Sequence, residues 1–313
     1  MKKILSSFLF VLITSIIPLY AQQQPYAHEW RKADSLLNSG LPQSAEKIIR
    51  DVYRKAQAAR QDVQIIKAQL YLLKATTAHQ ENADSIRIAF AIHEADTTAF
   101  PYNAIWHSIA AQLYWNYYQQ RRWQILQRSS VADMEETDFS FWSADRFYRE
   151  VSNHYRRSLH NSAQLQRIDI TAVDPLLIKG ENTEHLRPTL YDLLVFRAID
   201  FFRNEEKDIT RPAYHFTINE PASFLSASRF ESYKFTAQDT GALHFQALKL
   251  YQDVLAFHSG DKTPVALIDA DLQRLQFAYE YAVLPDKKDL YLKALEALAA
   301  RYPDEPIAAM ASF

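Results

Sequence analysis

Glycine is scarce in this chain, with four in 313 residues, where average usage of about 7% would place roughly twenty. Glycine supplies the positive-φ positions that tight turns, bulges and phosphate-cradling loops need. A chain that does with so little of it favours helices joined by simple connections. Neither GxGxxG nor GxxxxGK[ST] occurs, so the usual dinucleotide and nucleoside-triphosphate loops are excluded. Cysteine is absent altogether. That removes disulfides, thiol nucleophiles and an N-terminal lipidated cysteine, and leaves an ordinary hydrophobic core to stabilise the fold. Hydrophobic residues make up 48% of the chain, enough for one or two domains.

The first residues read as a secretory signal, residues 1–21. Lys2 and Lys3 precede an uncharged, mostly apolar run from Ile4 to Tyr20, and Ala21 stands before Gln22, Gln23 and Gln24. Cleavage after Ala21 removes two of the 35 basic residues and leaves 33 against 37 acidic ones, a net charge of −4. No electrostatic footprint for nucleic acid follows from that balance. No later run is apolar for long enough to span a bilayer. The expected address is therefore export, to the periplasm or cell envelope.

Helical periodicity dominates the rest. Trp30, Ala33, Leu36 and Leu37 share one face, Gly40 and Pro42 punctuate a turn, and Ala45, Ile48, Ile49, Val52 and Ala56 form the next stripe. This spacing matches the small and large positions of one tetratricopeptide repeat and degrades afterwards. A third helix is expected to carry Val63, Ile66, Leu70 and Leu73. A fourth is capped by Asp84 and carries Ile86, Phe90 and His93. Pro101 opens a fifth with Ile105, Ile109, Leu113 and Tyr117, and Phe147, Val151 and Tyr155 mark another that runs to about Leu159. Phe139, Phe141 and Trp142 are expected to pin the irregular segment before it onto the helices. A helix starting at Pro188 is apolar nearly all round as far as Phe202, which places it at the centre of the packing.

The period is lost from Lys207 to Asp239, where Tyr214-His215-Phe216-Thr217-Ile218 has strand composition. Helices return over Leu243–His258, over Pro264–Val283 and around Asp289–Ala299. Pro306 is expected to open one more, but the chain ends at Phe313, so the polypeptide is expected to continue beyond this point. The fold class is thus all-α: tetratricopeptide-like stacked helical hairpins, as an α-solenoid or an irregular bundle. The expected divisions are a helical domain over 22–206, an irregular linker or strap over 207–239 with a short strand possible, and C-terminal helical repeats over 240–313.

No catalytic constellation emerges. HExxH is missing, His154 and His160 lie six apart, and His28-Glu29 and His93-Glu94 lack a second histidine four positions on from the first. Asp269, Asp271 and Glu280 lack the spacing and glycine of a calcium loop. Ser129-Ser130 and Ser226-Ala227-Ser228 have no GxSxG turn around them. The expectation is a protein without enzymatic activity, cofactor or metal. The densest aromatic patch is Tyr114, Trp115, Tyr117, Tyr118 and Trp123, with Arg121 and Arg122 inside it. Trp, Tyr and Arg dominate protein-binding hot spots. Aromatics on several sides of one helix cannot all face solvent, so most are expected in the core. Trp123, with Arg121 and Arg122, is the candidate partner-binding site.

Several strings resemble the N-terminal helical leader of bacterial alpha-2-macroglobulin-like proteins. They are Lys32-Ala33-Asp34-Ser35-Leu36-Leu37 leading into Gly40-Leu41-Pro42; Leu113 to Gln120 with Arg122-Trp123; Asp138-Phe139 with Trp142; His154 to Leu159; and Leu186-Arg187-Pro188-Thr189-Leu190-Tyr191-Asp192. The resemblance spans roughly residues 28–205. It implies an envelope protein whose relatives continue into β-sandwich domains associated with trapping proteases. The thioester of that family needs a cysteine, and there is none to carry it. What the resemblance implies here is a scaffolding or docking element, with a protein partner or the downstream domains of its own chain as its contact. A periplasmic tetratricopeptide-like adaptor and a glycan-binding helical module are the alternatives.

Overall fold

In the computed structural model the described residues are 25–128, 138–180, 183, 185–204 and 216–308. The expected signal at 1–21 lies outside them, as do Ser129-Ser130, the start of the strand-like pentapeptide and the last five residues. Among the described residues the fold is all-α, with twelve α-helices, three short 3-10 segments and no strand beyond one isolated bridge between Asp169 and Thr189. The chain divides into two compact units between Ala75 and Thr76. Among the described residues no helix is long and apolar enough to cross a membrane.

The first unit holds α1 (Ala27–Asn38), α2 (Pro42–Ala58) and α3 (Asp62–Thr76). Helix α1 ends where Gly40 takes φ 71°. Its N–H donates to the Leu37 carbonyl and the Leu41 N–H to that of Leu36, the paired bonds of a Schellman cap. Arg60 repeats the same cap after α2 at φ 54°, a conformation that favours glycine. Trp30, Ala33, Ala45, Ile49 and Val52 form the core with Ala68 and Ala75, so the tetratricopeptide-like spacing of the first hairpin does place its residues inside. Helix α3 departs from its expected stripe. Ile66 is buried, but Val63, Leu70 and Leu73 are only half-buried, and Gln64 and Ala68 point inward instead. The reason is the Trp30 indole, whose Nε1–H needs an acceptor and donates to Gln64 Oε1 at 2.9 Å.

The second unit begins with α4 (Ala83–Thr97), α5 (Tyr102–Ile125) and α6 (Ala144–Ser158), packed in successive pairs. Asp84 does not cap α4. Asn82 occupies that position, while Asp84 lies in the first turn and pairs with Arg121 Nη1 at 3.0 Å. The inward face of α4 is Ile88, Ala91 and Ala95, and His93 is exposed. Ser143 caps α6, where Phe147, Val151 and Tyr155 are all buried as expected. Phe139 and Trp142 do pin the preceding segment. Phe141 does not, and stands 64% exposed.

After α7 (Ser162–Leu165) comes α8 (Leu190–Phe202), which packs on both α5 and α6. Ten of its thirteen residues are buried, consistent with its all-round apolar character. It does not start at Pro188, because Thr189 is the cap. The Thr189 hydroxyl accepts from the Asp192 N–H while the Asp192 carboxylate accepts from the Thr189 N–H at 2.9 Å, a reciprocal capping box. The strap then forms a 3-10 turn at Pro221–Phe224 and α9 (Ala227–Glu231), leading to α10 (Leu243–His258), α11 (Val265–Tyr281) and α12 (Lys287–Arg301). No strand forms over the described part of the strand-like segment, Phe216–Ile218. Phe216 packs on Phe245 at 5.4 Å, and the Ile218 carbonyl accepts a single bond from Val283. With no neighbouring strand in reach, β-branched composition alone builds no ladder. The turn at Pro306 is 3-10 through residue 308.

Leu194 is 1% exposed in α8. Leu194→Ala is expected to lower unfolding stability by about 2–5 kcal/mol, read from urea denaturation followed by circular dichroism. A loss under about 1 kcal/mol would remove α8 from the centre of the packing.

Candidate functional site

The aromatic patch is built on α5, whose Tyr114, Trp115, Tyr117 and Tyr118 are all buried. Tyr114 stacks on Trp142 with centroids 5.3 Å apart, Tyr117 stacks on Phe147 at 5.6 Å, and Trp115 meets Phe201 edge-on at 5.0 Å. These rings fill the seam between α5, α6 and α8. At Arg121 the backbone leaves helical geometry, φ −116° and ψ 15°. The Arg121 guanidinium lies 4.2 Å over the Tyr117 ring and is held by Asp84. Arg122 is half-buried and also engaged. Neither arginine is a free cation awaiting a partner.

Trp123 is different. It lies two residues past the non-helical Arg121, on the far side of the break from the buried Tyr118 face, and it stands 81% exposed. Leu126 is partly exposed one turn on, and Arg128 donates to the Trp142 carbonyl at 3.0 Å. That bond brings exposed Phe141, the neighbour of Trp142, to the same end of α5. Scattered apolar surface residues need no explanation, but a freely exposed tryptophan with a phenylalanine at one helix end is a credible anchor for a partner.

Two titratable clusters were not legible beforehand. His107 of α5 and His154 of α6 meet Nδ1 to Nδ1 at 3.1 Å, both buried. One ring must donate and the other accept, which two neutral tautomers satisfy. Burial pushes both rings down to about 4, with the nearby Arg157 charge adding to it. The second cluster joins α8 to α10. His258 Nε2 is 2.8 Å from Asp192 Oδ1, and its Nδ1 is 2.7 Å from Asp261 Oδ2. Burial alone pulls this ring down, but the hydrogen bonds and charges of Asp192 and Asp261 outweigh it and raise its pKa above the ordinary value. With both nitrogens donating, His258 keeps no lone pair to act as a base. This is a tie between helices.

The three carboxylates singled out from the sequence are each committed to an arginine. Asp271 pairs with Arg274, Asp269 with Arg187 at 2.5 Å, and Glu280 with Arg203 at 3.3 Å. Among the described residues no group of three or more His, Cys, Asp or Glu is placed to hold a metal ion. Comparison with protein-family models, curated proteins and solved structures finds no match to this chain.

The two histidine clusters give stability opposite pH dependences. An unfolded imidazole titrates near 6.5, so the His107–His154 contribution is intact above that pH and is lost as pH falls from about 6.5 towards 4. The His258 contribution is intact below about 6.5 and is lost as pH rises through its elevated folded pKa. Melting temperature against pH is expected to decline on both sides. The acid decline should flatten in His154→Gln, and the alkaline one in His258→Gln. Removing one partner of the buried pair, as in His258→Leu, should cost about 3–5 kcal/mol in urea unfolding.

Iodide quenching reads Trp123 directly. The other four tryptophans are 9% exposed or less, so the quenchable share of emission should vanish in Trp123→Phe and persist in Trp115→Phe.

Proposed function

We propose that this chain is a non-catalytic helical scaffold that works through protein contacts, the leader of an exported alpha-2-macroglobulin-like envelope protein. The observation that carries the reading is Trp123: an 81% exposed ring on a helix whose other aromatics are buried or half-buried. A buried aromatic seam fixes α5 as far as Tyr118 and buried Ile125 anchors the turn beyond the break at Arg121, so an aromatic presented there loses little entropy on binding. The hairpin pairs of α4, α5 and α6 fit such a role, since stacked helices make extended surfaces for protein recognition. The strings that resemble alpha-2-macroglobulin-like leaders, and the apolar run at the start of the sequence, support the family and the exported address.

A photo-crosslinking residue in place of Trp123, expressed in the native host, tests this. A discrete protein adduct is expected there and not with the same residue in place of exposed Asn153. Identical patterns at the two positions would overturn the reading. Saturable quenching of Trp123 by oligosaccharides, without a protein adduct, would replace it with the glycan-binding alternative.

A further inference from the structure

A second surface lies far along the chain from Trp123. Between the strap and the last hairpin, a groove of about 580 Å³ runs between α9 with its preceding 3-10 turn on one side and α11 and α12 on the other. Its floor is apolar, with Phe224 and Leu267 at the base and Leu290, Ala294, Ala297 and Leu298 along the α12 wall. That volume falls within the roughly 300–1,000 Å³ of ordinary ligand sites. Its shape is nevertheless set by a helix. The wall from Leu290 to Tyr302 extends about 18 Å at 1.5 Å per residue. Leu290, Ala294 and Ala297 recur at spacings of four and three, the seam by which one helix receives another. Yet Leu290 and Ala294 are only half-buried and Ala297 is exposed, so this seam has no helix against it among the described residues.

Charge decides what would fit. Arg229, Lys293 and Arg301 line the groove, all three exposed. None of them forms an ion pair among the described residues. The carboxylate in the lining, Asp271, is already neutralised by the buried guanidinium of Arg274, which also donates to the Ser223 and Leu225 carbonyls. The groove therefore offers an apolar floor with a net positive rim. Lys293 and Arg301 stand eight residues apart on α12, about 12 Å. One anionic head group would have to draw both side chains along the helix at full length, whereas carboxylates two turns apart on a helix meet each of them directly.

We propose that this groove docks an acidic amphipathic helix of a protein partner, its apolar face on the floor and its carboxylates on Lys293, Arg301 and Arg229. The mode is helix-in-groove recognition. It is independent of what Trp123 binds.

The test uses the full chain and two labelled 18-residue peptides with the same leucine stripe, one flanked by glutamates and one by lysines, titrated by fluorescence anisotropy. The glutamate peptide is expected to bind saturably and the lysine peptide at least about tenfold more weakly. Lys293→Glu with Arg301→Glu should reverse that order, and Arg229→Glu alone should weaken the glutamate peptide should the double variant not fold. Trp123→Ala should leave the affinity unchanged. Absence of saturable binding, equal affinity for the two peptides, indifference to the charge reversals, or loss in Trp123→Ala would each overturn the proposal. So would saturable binding of palmitate with none of the peptide.

Discussion

Asp192 is withdrawn from water and answers to two helices at once. One oxygen closes the capping box of α8 with Thr189, at 2.9 and 2.7 Å, and the other meets His258 in the last turn of α10. A buried carboxylate without partners is strongly disfavoured, so the start of α8 and the end of α10 must come together for either to be well placed. Burial lowers the His258 pKa, but the hydrogen bond and charge of Asp192, with those of Asp261 added, outweigh burial and raise it. Between those ends, the 3-10 turn at Pro221–Phe224 packs on α11 and α12, and α9 packs on α10. Replacing the pair with apolar groups of similar volume can be neutral in energy. What the charged version adds is a register that few alternative packings satisfy.

Arginine supplies further ties in the second unit. Arg274 is fully buried and binds two strap carbonyls as well as Asp271, with its guanidinium 4.6 Å from the Phe230 ring centre. Arg197 of α8 donates to the Ser108 hydroxyl of α5 at 2.7 Å, and Arg187 lies 3.4 Å over Phe196 while pairing with Asp269. A planar guanidinium can satisfy carbonyls, carboxylates and a ring face together. Irregular backbone can then be buried without strands to absorb its hydrogen bonds. Such a chain needs few glycines, since close backbone approach is replaced by long polar bridges.

These bridges explain what the sequence could and could not disclose. Periodicity located α8 and α10 and the burial of Tyr114, Tyr117, Phe147 and Val151, because burial along a helix is a local property with a 3.6-residue repeat. The cap at Thr189 was hidden behind Pro188, although Thr with Asp three residues later is itself a capping signature. His107 and His258 could not be paired in advance. His154 lies 47 residues from His107 and Asp192 lies 66 from His258, and although Asp261 is only three residues from His258, each histidine sits in an apolar stripe where it looks like any other polar interruption. Gln64 was missed for the same reason, its acceptor role being fixed by Trp30 on another helix. Trp123 was legible as a candidate anchor because it lies past the strongest helical period, whereas the break at Arg121 that separates it from the buried face was not.

The two surfaces left open differ in kind, and the difference follows from what lies beneath each. At the end of α5, rings packed on three helices hold the backbone up to Tyr118, and buried Ile125 pins the turn beyond Arg121 that carries the exposed tryptophan. Along α12 only Leu295 and Leu298 are buried, so that helix has little holding it beyond its contacts with α11 and the strap. A helix with so narrow a buried stripe gains in proportion when another covers its seam, because area removed from water is what stabilises an amphipathic helix. Recognition at the first surface should therefore leave the protein much as it was, whereas recognition at the second should also stabilise the end of the fold. Energetic coupling of that sort is how a scaffold built of hairpins can register that its partner has arrived.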